Sequence, residues 1–405
     1  MNDLLYLAHR IPFPPDKGDK IRSFHILESL ARRYRVHLGT FLDDPADARY
    51  VDELRRYCTS LEVVPLRRFA ATLRSGSGLL RAEPLTISYY GDRRLHRWVS
   101  RLLATVAPRV GLAFSSPMEQ YLPAPGKGMR RLIDLVDVDS DKWRQYSQRA
   151  RGPMRWIYAR EARLLAKAER AMVRDADASV VVSAIERETL MGKDAGLGRK
   201  LFAIPNGVDG AYFDPALAHV NPYRGDELPI VFTGAMDYWA NVDAVTWFVR
   251  EVLPAIRRER AEVRFYIVGS SPTRAVLDLG ADAGVQVTGR VADVRPYLAH
   301  AALAVAPLRL ARGVQNKVLE AMAMARAIVV TGAALRGIAA QAPPGVVVRD
   351  EPDAFADAVK QLLGSSERQR MGADARQFVL REFSWSRGMD ALCALIEGDQ
   401  GAAEA

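Results

Sequence analysis

A lysine and a glutamate three residues apart, Lys317 and Glu320, follow Gly313 at the start of a predicted helix. The first amide groups of a helix have no acceptor inside the helix and carry the positive end of its dipole, so they attract phosphate. A lysine there adds a full positive charge, and a carboxylate one turn later can accept hydrogen bonds from ribose hydroxyls. The spacing therefore predicts a site for a nucleoside diphosphate.

The residues around this helix start fit the same chemistry. Gly313 permits close approach of a ligand to the backbone, and Gln315 and Asn316 add side-chain donors on the same turn. A simpler interpretation makes Lys317 a solvated lysine and Glu320 its partner on the helix surface. The glycine turn, the small-residue helix that follows and the apolar strand after it favour the phosphate site.

Short apolar runs alternate with amphipathic stretches along the whole chain, which predicts an α/β protein with two doubly wound parallel sheets. The predicted strands are residues 4–8, 36–41, 61–64, 110–114, 131–136, 178–182, 229–232, 263–268, 285–288, 303–306, 327–330 and 346–348. Turn-forming residues around 204–215 separate the two patterns, so we place a domain boundary after residue 205. Two such domains that face each other would bind ligands in a central cleft, because sheets of this kind bind ligands beyond the carboxyl ends of their strands.

Composition narrows the class of protein. The chain has 405 residues, 49% of them hydrophobic, which is enough for two cores. Its two cysteines, Cys58 and Cys393, lie far apart, so neither a disulfide framework nor a zinc site is expected. No apolar run approaches the length of a membrane-spanning helix, and the first residues do not resemble a secretion signal. We therefore expect a cytoplasmic protein.

Positive charge is concentrated in the first half of the chain. Residues 1–205 contain 36 Lys and Arg against 24 Asp and Glu, a net charge of +12, whereas the remainder has a net charge of −3. This asymmetry predicts a polyanionic partner such as anionic lipid or a lipid-linked pyrophosphate. An arginine-rich surface without such a partner explains it equally well. No nucleic-acid-binding motif accompanies the charge, so we expect no nucleic acid partner.

Three segments together resemble the family 4 glycosyltransferases, which are retaining enzymes with the two-domain GT-B architecture. They are Ile-Pro-Asn-Gly-Val-Asp at 204–209, Phe-Thr-Gly-Ala-Met at 232–236 and the stretch 313–331. The resemblance implies an acceptor-binding domain at 1–205, a nucleotide-sugar-binding domain at 206–384, and a C-terminal helix and tail at 385–405 that cross back to the first domain. It also implies transfer from a UDP- or GDP-linked sugar without a cofactor.

Carried over residue by residue, the resemblance assigns catalytic roles to Lys317 and Glu320. It places the donor at Gly18, Gly234, Gly289, Arg290, Arg312, Gly313, Val314, Gln315, Asn316, Lys317 and Glu320. Two departures matter. Arg312 stands where the family usually has a second glutamate, and it fits either a phosphate or an anionic sugar. The loop 234–241 lacks the family's usual basic residue, so Lys317 is expected to carry more of the diphosphate charge.

On the acceptor side the first predicted helix and the segment after the fifth strand supply polar residues. The candidates for acceptor contact are Asp19, Lys20, Arg22, Asp137, Asp139 and Lys142. A capped helix start with solvated charges is the ordinary alternative for the first three. Asp137 and Asp139 also form an Asp-x-Asp pattern of the kind that holds a metal-bound diphosphate elsewhere. We predict no metal, because Lys317 would make one redundant.

Residues 12–22 and 134–143 carry a narrower resemblance, to sugar transferases associated with exosortase (PEP-CTERM) exopolysaccharide systems, that covers nearly the whole chain. It implies a saccharide acceptor on a polyprenyl lipid. Residues 66–74 alternate apolar side chains at helical spacing with arginines, so this stretch suits either an anionic membrane surface on the inner face or the protein core. The family's histidine after the fourth strand is absent from 115–118, so no catalytic base is identified.

Two other functional classes remain at this point. Arg312 is compatible with a degenerate GT-B protein that binds nucleotide or glycan without turnover. A nicotinamide-dependent oxidoreductase is disfavoured, because the Gly-x-Gly-x-x-Gly phosphate fingerprint is missing.

Overall fold

The computed structural model describes residues 1–15, 18–311, 313–399 and 401, and the chain divides into two compact units. The first unit comprises Met1–Pro205 together with Arg387–Ala405, and the second comprises Asn206–Ser386. Arg312, a predicted donor residue, lies outside the described residues.

The first unit is built on a parallel sheet with seven strands among the described residues, in the order β3-β2-β1-β4-β5-β6-β7. Its strands are β1 (Asp3–Ala8), β2 (Arg35–Leu42), β3 (Ser60–Pro65), β4 (Val110–Phe114), β5 (Arg130–Val136), β6 (Ala178–Val181) and β7 (Leu201–Ala203). Its helices are α1 (Gly18–Ala31), α2 (Val51–Arg55), α3 (Arg68–Arg81), α4 (Leu85–Tyr89), α5 (Arg93–Thr105), α6 (Asp139–Arg149), α7 (Pro153–Asp175) and α8 (Ala184–Met191).

The second unit has a parallel sheet with six strands among the described residues, in the order β10-β9-β8-β11-β12-β13. Its strands are β8 (Leu228–Thr233), β9 (Val263–Val268), β10 (Val285–Gly289), β11 (Leu303–Ala306), β12 (Ile328–Val330) and β13 (Val346–Val348). Its helices are α9 (Trp239–Trp247), α10 (Leu253–Glu259), α11 (Arg274–Leu279), α12 (Arg295–His300), α13 (Asn316–Ala323), α14 (Gly332–Leu335), α15 (Pro352–Gly364) and α16 (Arg368–Glu382).

Strand order explains where ligands can bind in each unit. In the second sheet the chain runs outward from β8 to β10 and then crosses to β11 on the other side of β8. In the first sheet the same reversal falls between β1 and β4. Loops leave in opposite directions at such a reversal and open a crevice at the carboxyl ends of the strands. Each unit therefore presents one position suited to a ligand.

The chain returns to the first unit in its last helix, α17 (Trp385–Glu397). Arg33 forms an ion pair with Asp390 at 2.6 Å, and the guanidinium of Arg130 donates to the carbonyl of Leu395 at 3.0 Å. These contacts attach the end of the chain to the first unit, at the turn after α1 and at β5. The predicted fold class, two Rossmann-like domains with a helix that crosses back, is confirmed.

Apolar packing matches the parallel arrangement of both sheets. The strands β1, β8 and β12 are buried almost along their whole length, as expected for strands covered on both faces. One large cluster of buried side chains fills the second unit. Over the described part of the chain, no helix combines the length and apolar character that crossing a membrane requires.

Candidate nucleotide-binding site

Lys317 lies in the first turn of α13, and its ammonium reaches back to the neighbouring strand β8. Its Nζ donates to Oδ1 of Asn241 at 2.9 Å and lies 5.1 Å from the centre of the Phe232 ring. Because α13 follows β11 while Phe232 belongs to β8, the lysine spans the reversal between these two strands. A cation therefore stands at the one position of this sheet where strand order favours a ligand.

Asn241 connects this lysine to the loop after β8. Its side chain is only 4% exposed, and its Nδ2 donates to the carbonyl of Ala235 at 2.8 Å. One amide thus holds both the ammonium of Lys317 and the glycine loop that begins at Gly234. The sequence analysis includes Asn241 as the last residue of this loop but predicts no role for it. Its two hydrogen-bond partners become apparent only in the folded structure.

The loops after β8, β9 and β10 are joined by backbone hydrogen bonds. The N–H of Gly234 donates to Val268 at 3.0 Å, and the N–H of Gly269 donates to Gly289 at 3.2 Å. A Cβ on Gly269 would lie 1.7 Å from the carbonyl oxygen of Gly234, and one on Gly234 would lie 3.2 Å from Cε of Lys317. These glycines let three backbone segments and the lysine pack together at the edge of the sheet.

Glu320 lies one turn after Lys317 on α13, and the two side chains influence each other's charge. Removal from water lowers the pKa of Lys317 to about 8, and the Glu320 carboxylate opposes this shift. Removal from water likewise raises the pKa of Glu320 to about 7, against the pull of Lys317. Both groups therefore titrate close to neutral pH, which is common for groups that bind or process a charged ligand.

The structure brings most of the predicted donor residues in the second unit to one edge. Gly313 adopts a φ of +55°, which favours glycine, and turns the chain into Val314, Gln315 and Asn316 before α13. Asn316 accepts a hydrogen bond from Asn206 Nδ2 at 3.3 Å, so the segment 204–209 is anchored to the same helix start. Gly289 and the exposed Arg290 lie further along this edge, at the end of β10.

The remaining predicted residues belong to the first unit, at the carboxyl ends of β1 and β5. Gly18 begins α1, and Asp19 forms an ion pair with Arg10 at 3.0 Å and lies 3.3 Å from Nε2 of His9. Burial raises the pKa of Asp19, but the hydrogen bond and charge of His9, together with the charge of Arg10, hold this pKa below its ordinary value. This carboxylate is therefore fixed as an anion.

Lys20 and Arg22 are buried in this structure. Lys20 is 2% exposed and pairs with Asp47 at 2.5 Å, while Arg22 is fully buried against Asp134 at 2.8 Å. Contact of either side chain with an acceptor would require it to leave its carboxylate, so their role in acceptor binding stays a prediction.

Asp137, Asp139 and Lys142 lie just after β5. The two aspartates are half-buried, and Lys142 is exposed on the first turn of α6. Within the described ranges, no group of three or more His, Cys, Asp or Glu side chains is placed to hold a metal ion. The acceptor role of these three residues also stays a prediction.

His9 is an additional candidate for ligand binding in the first unit that the sequence analysis did not include. Its ring stacks on Phe114 with centroids 5.7 Å apart, and its Nδ1 is buried with no hydrogen-bond partner among the described residues. Ser116 Oγ, also buried and unpartnered among them, follows the neighbouring strand β4. The sequence signal for this candidate was a histidine directly after the first predicted strand. His9 Nδ1 and Ser116 Oγ both lie where the strand order of this sheet favours a ligand.

Asn241→Leu should lower kcat/KM for the predicted nucleotide-sugar donor by about tenfold, because Lys317 and the Ala235 carbonyl would both lose a partner at a cost of about 1 to 2 kcal/mol. Steady-state kinetics would measure this loss. Asn221→Leu provides a matched control in the same unit, since Asn221 contacts only the backbone of Tyr223, at 3.0 Å, in the described interactions. An unchanged kcat/KM in Asn241→Leu would contradict the role given to this amide.

The sequence predicts a nucleoside diphosphate at Lys317, and the affinity for such a ligand, UDP for example, should then depend on pH. Below about pH 8 the Lys317 ammonium is already charged, whereas above that pH binding must first take up a proton, so the affinity should fall by up to about tenfold per pH unit. Calorimetry between pH 6.5 and 9.5 would measure this. Lys317→Arg should remove the decline, since a guanidinium stays charged. A decline that persists unchanged in Lys317→Arg would assign it to another group.

Comparison with solved structures identifies the fold. A sucrose-phosphate synthase from Thermosynechococcus elongatus shares the fold with a TM-score of 0.70 and 15% identity, over 99% of this chain and 100% of that one. WaaG, a glycosyltransferase involved in lipopolysaccharide biosynthesis, gives 0.67 and 15%, over 98% and 100%. Anabaena HepE in complex with UDP and glucose gives 0.66 and 13%, over 98% and 100%. The fold is that of the GT-B glycosyltransferases.

A family model also matches part of the second unit. Residues 227–365 match the family described as glycosyl transferases group 1. The matched range contains Gly234, Asn241, Lys317 and Glu320. No curated protein is close enough in sequence to count as a relative.

Proposed function

We propose that the protein is a retaining, metal-independent glycosyltransferase of the family 4 type, which moves a sugar from a UDP- or GDP-linked donor to a saccharide hydroxyl. The observation that carries this proposal is Lys317, held by Asn241 at the strand reversal of the second sheet with Glu320 one turn away. The match of residues 227–365 to group 1 glycosyltransferases and the likeness of fold to HepE with bound UDP support it.

In this proposal the second unit stabilises the leaving group. As the bond between the sugar and the diphosphate breaks, negative charge grows on the phosphate oxygens. The Lys317 ammonium and the first amides of α13 are already aimed at this position, so no reorganisation is needed when the charge develops. Glu320 accepts hydrogen bonds from the ribose and fixes the nucleotide. Retention of stereochemistry follows from the family resemblance and from no particular residue.

The test is release of nucleoside diphosphate from a panel of UDP- and GDP-sugars, with EDTA present throughout. We expect slow release of diphosphate from at least one donor by hydrolysis. Release should become faster, with transfer of the sugar, when the cell's lipid-linked saccharides are added. NMR of the product should show the anomeric configuration of the donor. Tight nucleotide binding without release from any donor would instead support the degenerate, non-catalytic alternative.

We further propose that the acceptor is a lipid-linked saccharide at the inner membrane face, in exopolysaccharide or envelope glycan synthesis. The net charge of +12 in residues 1–205 supports an anionic surface as partner. On α3, Phe69 and Leu73 are 79% and 63% exposed and lie one turn apart, beside the exposed Arg67 and Arg68. A helix face with apolar side chains beside arginines suits a membrane interface.

The double substitution Phe69→Ser/Leu73→Ser should weaken binding to vesicles with 30% phosphatidylglycerol by at least tenfold. Burial of each of these side chains in lipid contributes about 1.5 to 3 kcal/mol. Vesicle sedimentation would measure it, and Val220→Ser, which removes an 85% exposed apolar side chain in the second unit, provides the control. Equal binding by the wild type and the double variant would contradict the assignment of this face.

A further inference from the structure

Tyr212 is an exposed aromatic residue on the loop 206–214 of the second unit, and its ring is held in place. The residue is 44% exposed. The guanidinium carbon of Arg295 lies 3.8 Å from the centre of its ring, and the ring of Phe213 contacts it edge-on at 5.0 Å. A cation over an aromatic face is attracted to it, so one face of the ring is covered and its orientation is fixed.

Arg295 is itself clamped at the start of α12. Both carboxylate oxygens of Asp293 accept from its Nε, at 3.0 and 2.9 Å, and its Nη1 donates to the carbonyl of Tyr212 at 3.2 Å. The guanidinium is thus bonded to the loop between β10 and α12 and to the backbone of the tyrosine whose ring it covers. Such a rigid support lowers the entropy that a ligand would lose by ordering the ring.

The loop that carries Tyr212 runs along α13. Asn206 contacts Asn316 at the start of this helix, at 3.3 Å. Arg376 donates from one nitrogen to the carbonyl of Phe213, at 2.6 Å, and to that of Ala323 at the end of the helix. Tyr212 directly precedes Phe213, so it lies beside the second half of α13, where Glu320 is found.

The charges around the phenol agree with this placement. Burial raises the pKa of Tyr212 above its ordinary value, and the carboxylates of Asp293 and Glu320 add to the rise. The ring is therefore within electrostatic reach both of Glu320 and of Asp293 in the loop after β10. Arg290, at the start of that loop, is exposed.

We propose that Tyr212 is the stacking platform for the nucleobase of the donor, with Arg295 and Asp293 as positioning residues. This inference rests on the proposed function, in which Lys317 binds the diphosphate and Glu320 the ribose. The base is the next group of the nucleotide beyond the ribose, and Tyr212 is an exposed ring whose loop is linked by hydrogen bonds to both ends of α13 and which interacts electrostatically with Glu320. The ring face that Arg295 leaves uncovered receives the base.

Calorimetry with UDP, GDP and ADP on the full-length protein tests the proposal, with inorganic pyrophosphate measured by competition against the tightest of the three. Tyr212→Ala should weaken binding of that nucleotide about 5- to 150-fold, the usual effect of losing one base–aromatic stack. Tyr212→Phe, which keeps the ring, should stay within about twofold. Arg295→Met should weaken binding of the nucleotide at least twofold. None of the three variants should change the affinity for pyrophosphate.

Two outcomes overturn the inference while leaving the proposed function intact. One is a loss below twofold in Tyr212→Ala, and the other is an equal loss for nucleotide and pyrophosphate, which would indicate a general disturbance of the site. If the wild type bound none of the three nucleotides, the proposed function would be overturned as well. Melting temperatures of the variants identify any that do not fold.

Discussion

Lys317→Ala should lower kcat for release of nucleoside diphosphate by about 100- to 1000-fold, because in the proposed mechanism the ammonium stabilises charge that develops fully only in the transition state. The loss should appear in kcat as well as in kcat/KM. The diphosphate of the bound donor carries only part of this charge, so removal of the lysine weakens its binding less than it destabilises the transition state. The loop 234–241 contains no basic residue that could replace the lysine. Steady-state kinetics on the donor that the wild type uses fastest provide the measurement.

Lys360→Ala is the matched control, because Lys360 is the other lysine of the second unit and pairs at the surface with Glu259 at 2.6 Å and Asp357 at 3.0 Å. Its kinetics should equal those of the wild type. A Lys317→Ala protein with a raised KM but an unchanged kcat would contradict the account, since it would limit the lysine to ground-state binding.

Gly269→Ala should destabilise the second unit by about 3 kcal/mol, at the upper end of the usual cost of overpacking. The new methyl group would lie 1.7 Å from the carbonyl oxygen of Gly234, and backbone cannot rotate away as a side chain can. Any relief must separate the loops after β8 and β9, so the affinity for UDP should fall together with stability. Urea denaturation and calorimetry provide the two measurements.

Gly289→Ala separates this clash from the ordinary cost of replacing a glycine. Gly289 has a φ of +69°, but a Cβ there would meet nothing within 4 Å. Gly289→Ala should lower the free energy of unfolding by about 1 kcal/mol, through conformational strain alone. Equal urea midpoints for Gly269→Ala and Gly289→Ala would show that the contact between the two loops is not tight.

Much of the fold could be predicted from the sequence, because parallel strands buried on both faces produce short continuous apolar runs. Runs such as those of β8 and β9 fall within a residue or two of the observed strands. The exception is β7, whose Leu201–Ala203 is too short to stand out from a loop. It becomes a strand because β6 offers it hydrogen bonds at the sheet edge, which only the tertiary structure reveals.

The candidate site could be predicted where its residues lie close together in sequence. Gly313, Lys317 and Glu320 lie within eight residues, so the sequence itself predicts the helix start that gathers them. The proposed roles of Asn241 and Tyr212 could not be predicted this way, because their partners lie far away in sequence. The amide contacts a lysine 76 residues later, and the tyrosine ring is covered by Arg295 from another helix.

The burial of Lys20 and Arg22 illustrates the same limit for charged residues. A sequence rich in Lys, Arg and Asp near a helix start suits a ligand site and a set of structural ion pairs equally well. Their partners, Asp47 and Asp134, are supplied by segments that the local pattern does not reveal.

A crystal structure of the protein with UDP or GDP, grown in EDTA, would show directly where the diphosphate binds. We expect diphosphate oxygens within hydrogen-bond distance of Lys317 Nζ and the first amides of α13, with the ribose hydroxyls on Glu320. A nucleotide bound elsewhere in the second unit, or a diphosphate that binds only when a divalent cation is restored and held by carboxylates, would contradict this expectation.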